Sequence, residues 1–186
     1  KELSSDYQGV DVQIETYREY LDCTLAPHVI GKVGSIDAEE YATLKEEGYA
    51  MNAVIGKSGI EQIMEDYLKG EDGEKTVTVN SDGTVKTEYT KEVKNGNSIV
   101  LTLDVDLQKA AQDALKEKCD SIESLVPHGG AVVALNCNTG EVLAMATYPS
   151  YDISTYGEDY SKLVKNKASP LWNRAIPKRI LLPRWR

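Results

Sequence analysis

The sequence predicts an α+β fold, and three features of its patterning carry that prediction. Two stretches alternate with period two and fall into hairpins, 74–90 and 131–147. Three stretches carry the 3.6-residue rhythm of amphipathic helices, near 35–48, 58–70 and 104–122. Helices and hairpins are segregated along the chain, which points away from a regularly alternating parallel-sheet protein. With 186 residues and 41% hydrophobic content, the chain is long enough for one domain plus part of another.

Taken in order, Val10, Val12 and Ile14 alternate with polar residues and read as a strand. A loop-like stretch with Pro27, Gly31 and Gly34 follows. SIDAEEYATLKEEGY then reads as a short helix, capped by Ser35 or Asp37 and stopped by Gly48. GKSGIEQIMEDYLKG, residues 56–70, reads as a second helix. Ser58 and Glu61 fit a capping box, Ile60, Ile63, Met64, Tyr67 and Leu68 form one buried face, and Gly70 ends it. EKTVTV and TVKTEYT flank Asp82-Gly83, a hairpin turn. NGNSIVLTLD reads as a further strand. Asp104 or Asp106 at its end caps a long helix whose apolar face is Leu107, Ala110, Ala111, Ala114, Leu115 and Ile122. AVVALN and EVLAMAT form a second hairpin around Asn138-Thr139-Gly140, apolar enough on both faces for a sheet covered on both sides. Residues 148–176 read as a long surface segment with a short helix at most.

Composition removes several function classes. A net charge of −9 argues against general nucleic-acid binding, which needs Lys and Arg to neutralise phosphates. No run of 18 apolar residues is present to span a bilayer. Cys23, Cys119 and Cys137 are far apart and odd in number, and only two histidines accompany them. The sequence therefore gives no metal site and no cofactor site, and the thiols read as buried or idle.

Motifs that would carry chemistry fall short one by one. Gly56-Lys57-Ser58 would close a phosphate-binding loop only with a glycine at 51, where Met51 stands. His28 and His128 lie in Gly/Pro-rich turns with no nucleophile elbow, so both read as solvated or backbone-bonded. The pairs Asp104/Asp106 and Glu71/Asp72 suit helix caps or loops better than acid–base work. No serine has a lysine three residues on, and S-x-N and K-T-G are absent, so the chain carries no acyl-enzyme apparatus and no catalytic residue is assigned.

The succession of motifs is more informative than any one of them. R-E-Y at 18–20, APHVIGKVGSI, GYAMNAVIGKSGIE, LTLDVDLQ, GGAVVALNCNTGEVLAMATYPSYD and LWNRAI follow one another in this order. That succession resembles the class B penicillin-binding proteins of bacteria, over about residues 9–176. The resemblance implies a pedestal, or dimerisation, domain that lifts a D,D-transpeptidase domain toward peptidoglycan. It also implies an extracytoplasmic location with a single N-terminal membrane anchor. Arg18, Tyr20, Gly56, Gly59, Ile60 and Glu61 match the pedestal signature, and Asn173, Arg174 and Ala175 match the run-up to the family's nucleophilic serine. The resemblance pairs Glu61 with Arg18, in competition with the capping role of Glu61.

The chain departs from the family pattern after Ile176. PKRILLPRWR replaces the P-G-S-x-x-K segment and holds no serine; it reads as a frameshifted or vector-derived end, with a natural basic tail as the alternative. The expected organisation is a pedestal at 1–98, a connecting strand and helix at 99–127, a truncated transpeptidase start at 128–176, and an atypical tail at 177–186. The expected function is the non-catalytic part of a peptidoglycan D,D-transpeptidase. Its partners would be other cell-wall synthesis proteins and a second copy of the chain. Peptidoglycan would be met only through the missing catalytic domain, and the membrane only through a missing helix. The alternative is a stand-alone interaction module of the same machinery. Residues 129–186 are expected to pack on the pedestal, pair through an open edge, or lack full order.

Overall fold

The computed structural model describes residues 17–81, 83–122 and 129–176. The expected strand at 10–14, His128 and the tail at 177–186 lie outside the described residues. The architecture is α+β, with three two-stranded antiparallel sheets and accompanying helices among the described residues.

The stretch expected to be a loop is structured. One helical turn, α1 (Pro27–Ile30), starts on a proline, whose fixed φ suits the first helical position. Strand β1 (Val33–Ser35) follows and pairs with β2 (Val54–Gly56), Val33 opposite Gly56. Three-residue strands are too short to show a period, which is why alternation did not reveal them. Helix α2 (Ala38–Leu44) is capped by Asp37, whose carboxylate accepts from the Glu39 and Glu40 amides while Glu40 reaches back to the Asp37 amide. A 3₁₀ turn at Lys45–Glu47 ends on Gly48 in the left-handed region.

The second expected helix is two short ones, α3 (Gly59–Ile63) and α4 (Glu65–Leu68), broken at Met64. Ser58 sits at the N-cap but makes no capping bond. Its hydroxyl instead accepts the Lys32 amide at 3.2 Å, and Glu61 turns away to Arg18. The expected capping box is therefore absent, because both of its side chains have tertiary partners. The expected apolar face is also incomplete: Ile63 and Tyr67 are exposed.

Hairpin β3 (Glu74–Val79) and β4 (Val85–Lys91) has every residue exposed. The expected strand at 95–104 is not formed. Lys94 makes one isolated bridge, exchanging two backbone bonds with Glu71, and the rest of 92–104 bonds singly. The Asn97 amide bonds the Tyr67 carbonyl, the Thr102 hydroxyl the Val142 carbonyl and the Asp104 amide the Leu143 carbonyl. Such scattered bonds build no ladder.

Helix α5 (Val105–Asp120) is capped by Asp104, which accepts from the Leu107 amide at 2.9 Å. Its buried stripe is Gln108, Leu115 and Cys119, with Ala111 and Gln112 half-buried; Leu107, Ala110 and Ala114 face outward. The stripe is rotated from the expected one because a glutamine, Gln108, occupies its first position. That side chain is 1% exposed, donates to the Met145 carbonyl at 3.0 Å and accepts the Met145 amide at 2.7 Å. It thus acts like a backbone unit toward β6 (Val142–Tyr148), which pairs with β5 (Gly130–Leu135). The core beneath them is Leu115, Cys119 and Ala146, flanked by Ala111 and Tyr148. The face turned away from α5 is left open at Val133 and Leu135, both exposed, so the expected two-sided cover is not found among the described residues. Helix α6 (Tyr156–Lys165) lies in the segment expected to be mostly irregular.

Candidate functional site

The signature residues gather where three pieces of chain meet. Arg18 lies on a segment outside any helix or strand, and its Nη2 donates to Glu61 Oε2 at 2.9 Å. Glu61 is buried on α3, whereas the Arg18 side chain is 42% exposed, so water screens one partner and not the other. Two residues on, the Tyr20 hydroxyl accepts the Val33 amide at 3.1 Å, at the start of β1. Burial, then the nearby Glu61 carboxylate, raise the Tyr20 phenol above its ordinary value, which keeps it protonated at physiological pH. The Cys23 thiol donates to the Tyr20 carbonyl at 3.2 Å.

The glycines let these pieces touch. Gly59 has φ +61°, and a Cβ built there would lie 2.6 Å from the Val29 carbonyl oxygen and 2.7 Å from the Gly31 backbone. A Cβ on Gly56 would fall on the Glu61 carbonyl. The backbones of α1, β2 and α3 therefore approach more closely than any side chain permits. Around them, the Lys57 amide donates to the Lys32 carbonyl at 2.8 Å, Glu65 accepts the Gly56 amide at 2.8 Å, and Lys57 forms an ion pair with Glu40. Tyr49, just after Gly48, sends its hydroxyl to Glu65 at 3.4 Å, and burial with that carboxylate nearby pushes its phenol up to about 12.

This arrangement decides what GKSGIE does. Lys57 and Ser58, the residues a phosphate would need, are engaged with Glu40 and Lys32. The cluster joins chain segments and presents no group poised for proton or acyl transfer. Among the described residues, no cluster of three or more His, Cys, Asp or Glu is placed to hold a metal. No described helix is long and apolar enough to cross a membrane.

A second cluster forms around the other matched motif. Asn173 Oδ1 accepts from the Thr147 hydroxyl at 3.2 Å and the Ala175 amide at 3.0 Å, so it ties the run-up to β6. Arg174 donates to the Ser169 carbonyl at 3.2 Å and also to the Ala168 carbonyl, with its guanidinium 5.6 Å from the Trp172 ring centroid. These bonds go to backbone carbonyls, which an arginine fork can satisfy in parallel.

Sequence reasoning missed the segment that links the two clusters, residues 22–28. Asp22 pairs with Lys109 of α5 at 3.2 Å. Gln112, also on α5, donates to the Thr24 carbonyl and accepts the Ala26 amide, both at 3.0 Å. The Ile153 amide donates to the Cys23 carbonyl at 3.0 Å, and the Tyr151 hydroxyl to the Pro27 carbonyl at 3.1 Å. His28 Nε2 lies 2.8 Å from the Pro170 carbonyl, with its ring edge-on to Tyr151. His28 is therefore backbone-bonded, as its turn context suggested, and burial lowers its pKa from the ordinary value. Glutamines at 108 and 112, one helical turn apart on a stripe that also holds Leu115, were the available signal.

Comparison with known proteins places the chain in a family. Residues 1–101 match the model of the penicillin-binding protein dimerisation domain. The chain belongs to the penicillin-binding protein dimerisation-domain family. Peptidoglycan D,D-transpeptidase MrdA of Acinetobacter baumannii is 32% identical over 181 residues, covering 94% of this chain and 25% of that protein. A solved peptidoglycan synthase complex, concerned with coordinating polymerization and crosslinking, contains a chain 34% identical with a TM-score of 0.65, covering 81% of this chain and 28% of its own. The complex between penicillin-binding protein PBP2 and MreC from Helicobacter pylori contains a chain 29% identical at TM-score 0.65, covering 84% of this chain and 28% of that one. The chain spans about a quarter of the length of the curated relatives it matches. In this chain, the ion pair of Arg18 and Glu61 and the close approach at Gly56 and Gly59 bring the segment around Arg18, α1, β2 and α3 together.

Proposed function

We propose that this chain is the non-catalytic pedestal, with the beginning of the transpeptidase domain, of a bacterial peptidoglycan D,D-transpeptidase in cell-wall synthesis. The pedestal takes residues 1–98, the connection 99–127, the transpeptidase start 128–176, and 177–186 is a tail atypical in sequence. Arg18, Tyr20, Gly56, Gly59 and Glu61 hold the pedestal together, and Asn173 and Arg174 hold the run-up to the catalytic serine. The whole protein sits at the extracytoplasmic face of the membrane on a single N-terminal anchor. Its partners are other cell-wall synthesis proteins and a second copy of itself. Peptidoglycan is met through the catalytic domain.

The observation that carries this reading is the bonding of residues 22–28 to α5, to Tyr151 and Ile153, and to Pro170 at once. A pedestal must transmit position to the domain it supports, and this segment fixes the run-up to the signature cluster. The relatives named as D,D-transpeptidases, and the complexes in which similar chains are found, support the same reading.

A fluorescent penicillin tests both halves of the proposal. The chain alone is expected to take no covalent label, and a denaturation-resistant adduct would overturn the non-catalytic reading. A chimera carrying residues 1–172, behind the membrane anchor and ahead of the catalytic remainder of an MrdA relative, is expected to label and to support cross-linking in cells depleted of the native enzyme. A folded chimera that labels yet fails to restore cross-linking in cells would overturn the pedestal reading.

A further inference from the structure

We propose that the open edge of β4 pairs with the same edge of a second copy of this chain, about a two-fold axis at Thr87, to make a four-stranded sheet. This deepens the homodimer within the pedestal reading and rests on it. The family description already carries the word dimerisation; the structure supplies an edge and a register.

The first observation is the direction of the backbone groups. The Asn80 amide donates to the Thr84 carbonyl at 2.8 Å and closes the hairpin. Hydrogen-bonded and non-bonded pairs alternate along an antiparallel ladder. With Val79 opposite Val85, Val77 opposite Thr87 and Lys75 opposite Tyr89, these three are the non-bonded pairs. The amides and carbonyls of Val85, Thr87 and Tyr89 therefore point away from β3, to the side where, among the described residues, this two-stranded sheet ends. All seven residues of β4 are exposed, and no proline interrupts it. Such an edge is a template for another strand.

The second observation is that the edge is complementary to itself in one register. Centred on Thr87, the pairing sets Val85 against Tyr89 of the second copy and Thr87 against its twin, all on one face. On the other face it sets Lys86 against Glu88 of the second copy, and the reverse. Three outward-pointing pairs exchange about six backbone hydrogen bonds. Centring on Lys86 would put lysine against lysine, and centring on Glu88 glutamate against glutamate. Pairing β3 with itself about Val77 would put Lys75 against Val79. Lys86 and Glu88 now contact each other at 2.6 Å on one strand, both largely exposed, so each can also reach across. The pairing is small, in the class of weak interfaces.

Sedimentation equilibrium on the whole chain up to the high-micromolar range tests this, with circular dichroism confirming that each variant folds. A dimer is expected. Lys86→Glu and Glu88→Lys, each alone, are expected to weaken it by about ten-fold or more, since each places two like-charge pairs across the axis. An equimolar mixture of the two variants is expected to regain wild-type affinity as a heterodimer, which a purely intrachain role for the pair would not produce. Thr87→Cys in a Cys137→Ser background is expected to cross-link on oxidation. An opposed hydrogen-bonded pair holds Cα atoms about 5.5 Å apart, within disulfide reach, whereas Thr78→Cys on β3 is expected to stay uncrossed. Three results would overturn the proposal: a strict monomer, a dimer indifferent to the charge variants, or open-ended assembly through β3 against β4. The penicillin-labelled chimera reads the pedestal assignment separately from all three.

Discussion

Gly59→Ala isolates the close approach that shapes the signature cluster. Two separate penalties apply. An alanine at φ +61° sits in the left-handed region, which costs a non-glycine residue about 1–2 kcal/mol. Its methyl would also lie 2.6 Å from the Val29 carbonyl oxygen and 2.7 Å from the backbone nitrogen and α-carbon of Gly31, where ordinary contact begins at 3.4 Å. Backbone atoms of α1 must therefore move by 3.4 − 2.6 = 0.8 Å, an overpacking of about 1–3 kcal/mol. The sum is about 2–5 kcal/mol, or a fall in Tm of roughly 4–20 °C for a chain of this size. Two other glycines separate the contributions. Gly48 has φ +85° with open space around it, so Gly48→Ala carries the conformational penalty alone, about 1–2 kcal/mol. Gly157 lies in α6 in open space without positive φ, so Gly157→Ala is expected to be neutral or stabilising by up to about 1 kcal/mol. Urea and thermal unfolding followed by near-UV circular dichroism rank the three. The reasoning fails if Gly59→Ala loses no more than Gly48→Ala.

Removing either partner of the signature ion pair should destabilise by about 1–3 kcal/mol, with Arg18→Ala the worse because it strands the buried Glu61 carboxylate; a double-mutant cycle with Glu61→Gln is expected to show coupling, and additive losses would refute the pairing as an energetic contact. Gln108→Leu keeps similar volume but orphans the amide and carbonyl of Met145, so a loss of about 2–4 kcal/mol and faster hydrogen exchange at Met145 are expected; an unchanged urea midpoint would show that β6 does not need this side chain. For His28 the sign follows from burial, the largest cause, which lowers its pKa in the folded state. The unfolded chain then binds the proton more tightly, so stability is present above the unfolded value near 6.5 and is lost as pH falls from there through the folded value. The wild-type urea midpoint should therefore drop more between pH 8 and 5 than that of His28→Gln, and parallel profiles would refute the burial argument. The exposed carboxylates held below their ordinary range, Asp22, Asp37, Glu71 and Asp159, change charge at lower pH and leave that window clear.

What the sequence showed and what it hid divide along physical lines. Both described hairpins, the Asp37 and Asp104 caps and the long helix rest on local chemistry, in which a turn residue or a cap acts within a few positions of itself. The failures are long-range. Ser58 and Glu61 carry a legitimate capping pattern, yet Lys32 and Arg18, distant in sequence, claim both side chains. The strand expected at 95–104 has the right residues and lacks a continuous partner among the described ones. Strands β1 and β2 were hidden because they are only three residues long. The stripe of α5 was misplaced because reasoning from apolar residues cannot anticipate a glutamine that pairs with the backbone of a neighbouring strand. The pairing of Arg18 with Glu61 was legible in the sequence, but the linking role of residues 22–28 was not, since most of its bonds are made by main-chain groups, which carry no sequence signal.

That last point bears on how such a chain holds its shape. The described core is small: Leu115, Cys119 and Ala146 form its one buried cluster, and several large apolar residues of the β5–β6 hairpin and of 100–107 stay in contact with water. Hydrophobic burial on that scale stabilises modestly and is not directional. The hydrogen bonds of Gln108, Gln112, Tyr20, Tyr151 and Glu65 supply direction, each tying a side chain to the backbone of a distant element. A buried polar group that loses its partner is penalised steeply, so these contacts discriminate strongly between one arrangement and its neighbours even where each adds little net stability. For a domain whose proposed task is to hold another in position, that is the more useful property. Specific bonds from 22–28 to α5, to Tyr151 and Ile153 and, through His28, to Pro170 of the run-up fix orientation, while the apolar surfaces left open remain available to whatever the pedestal supports.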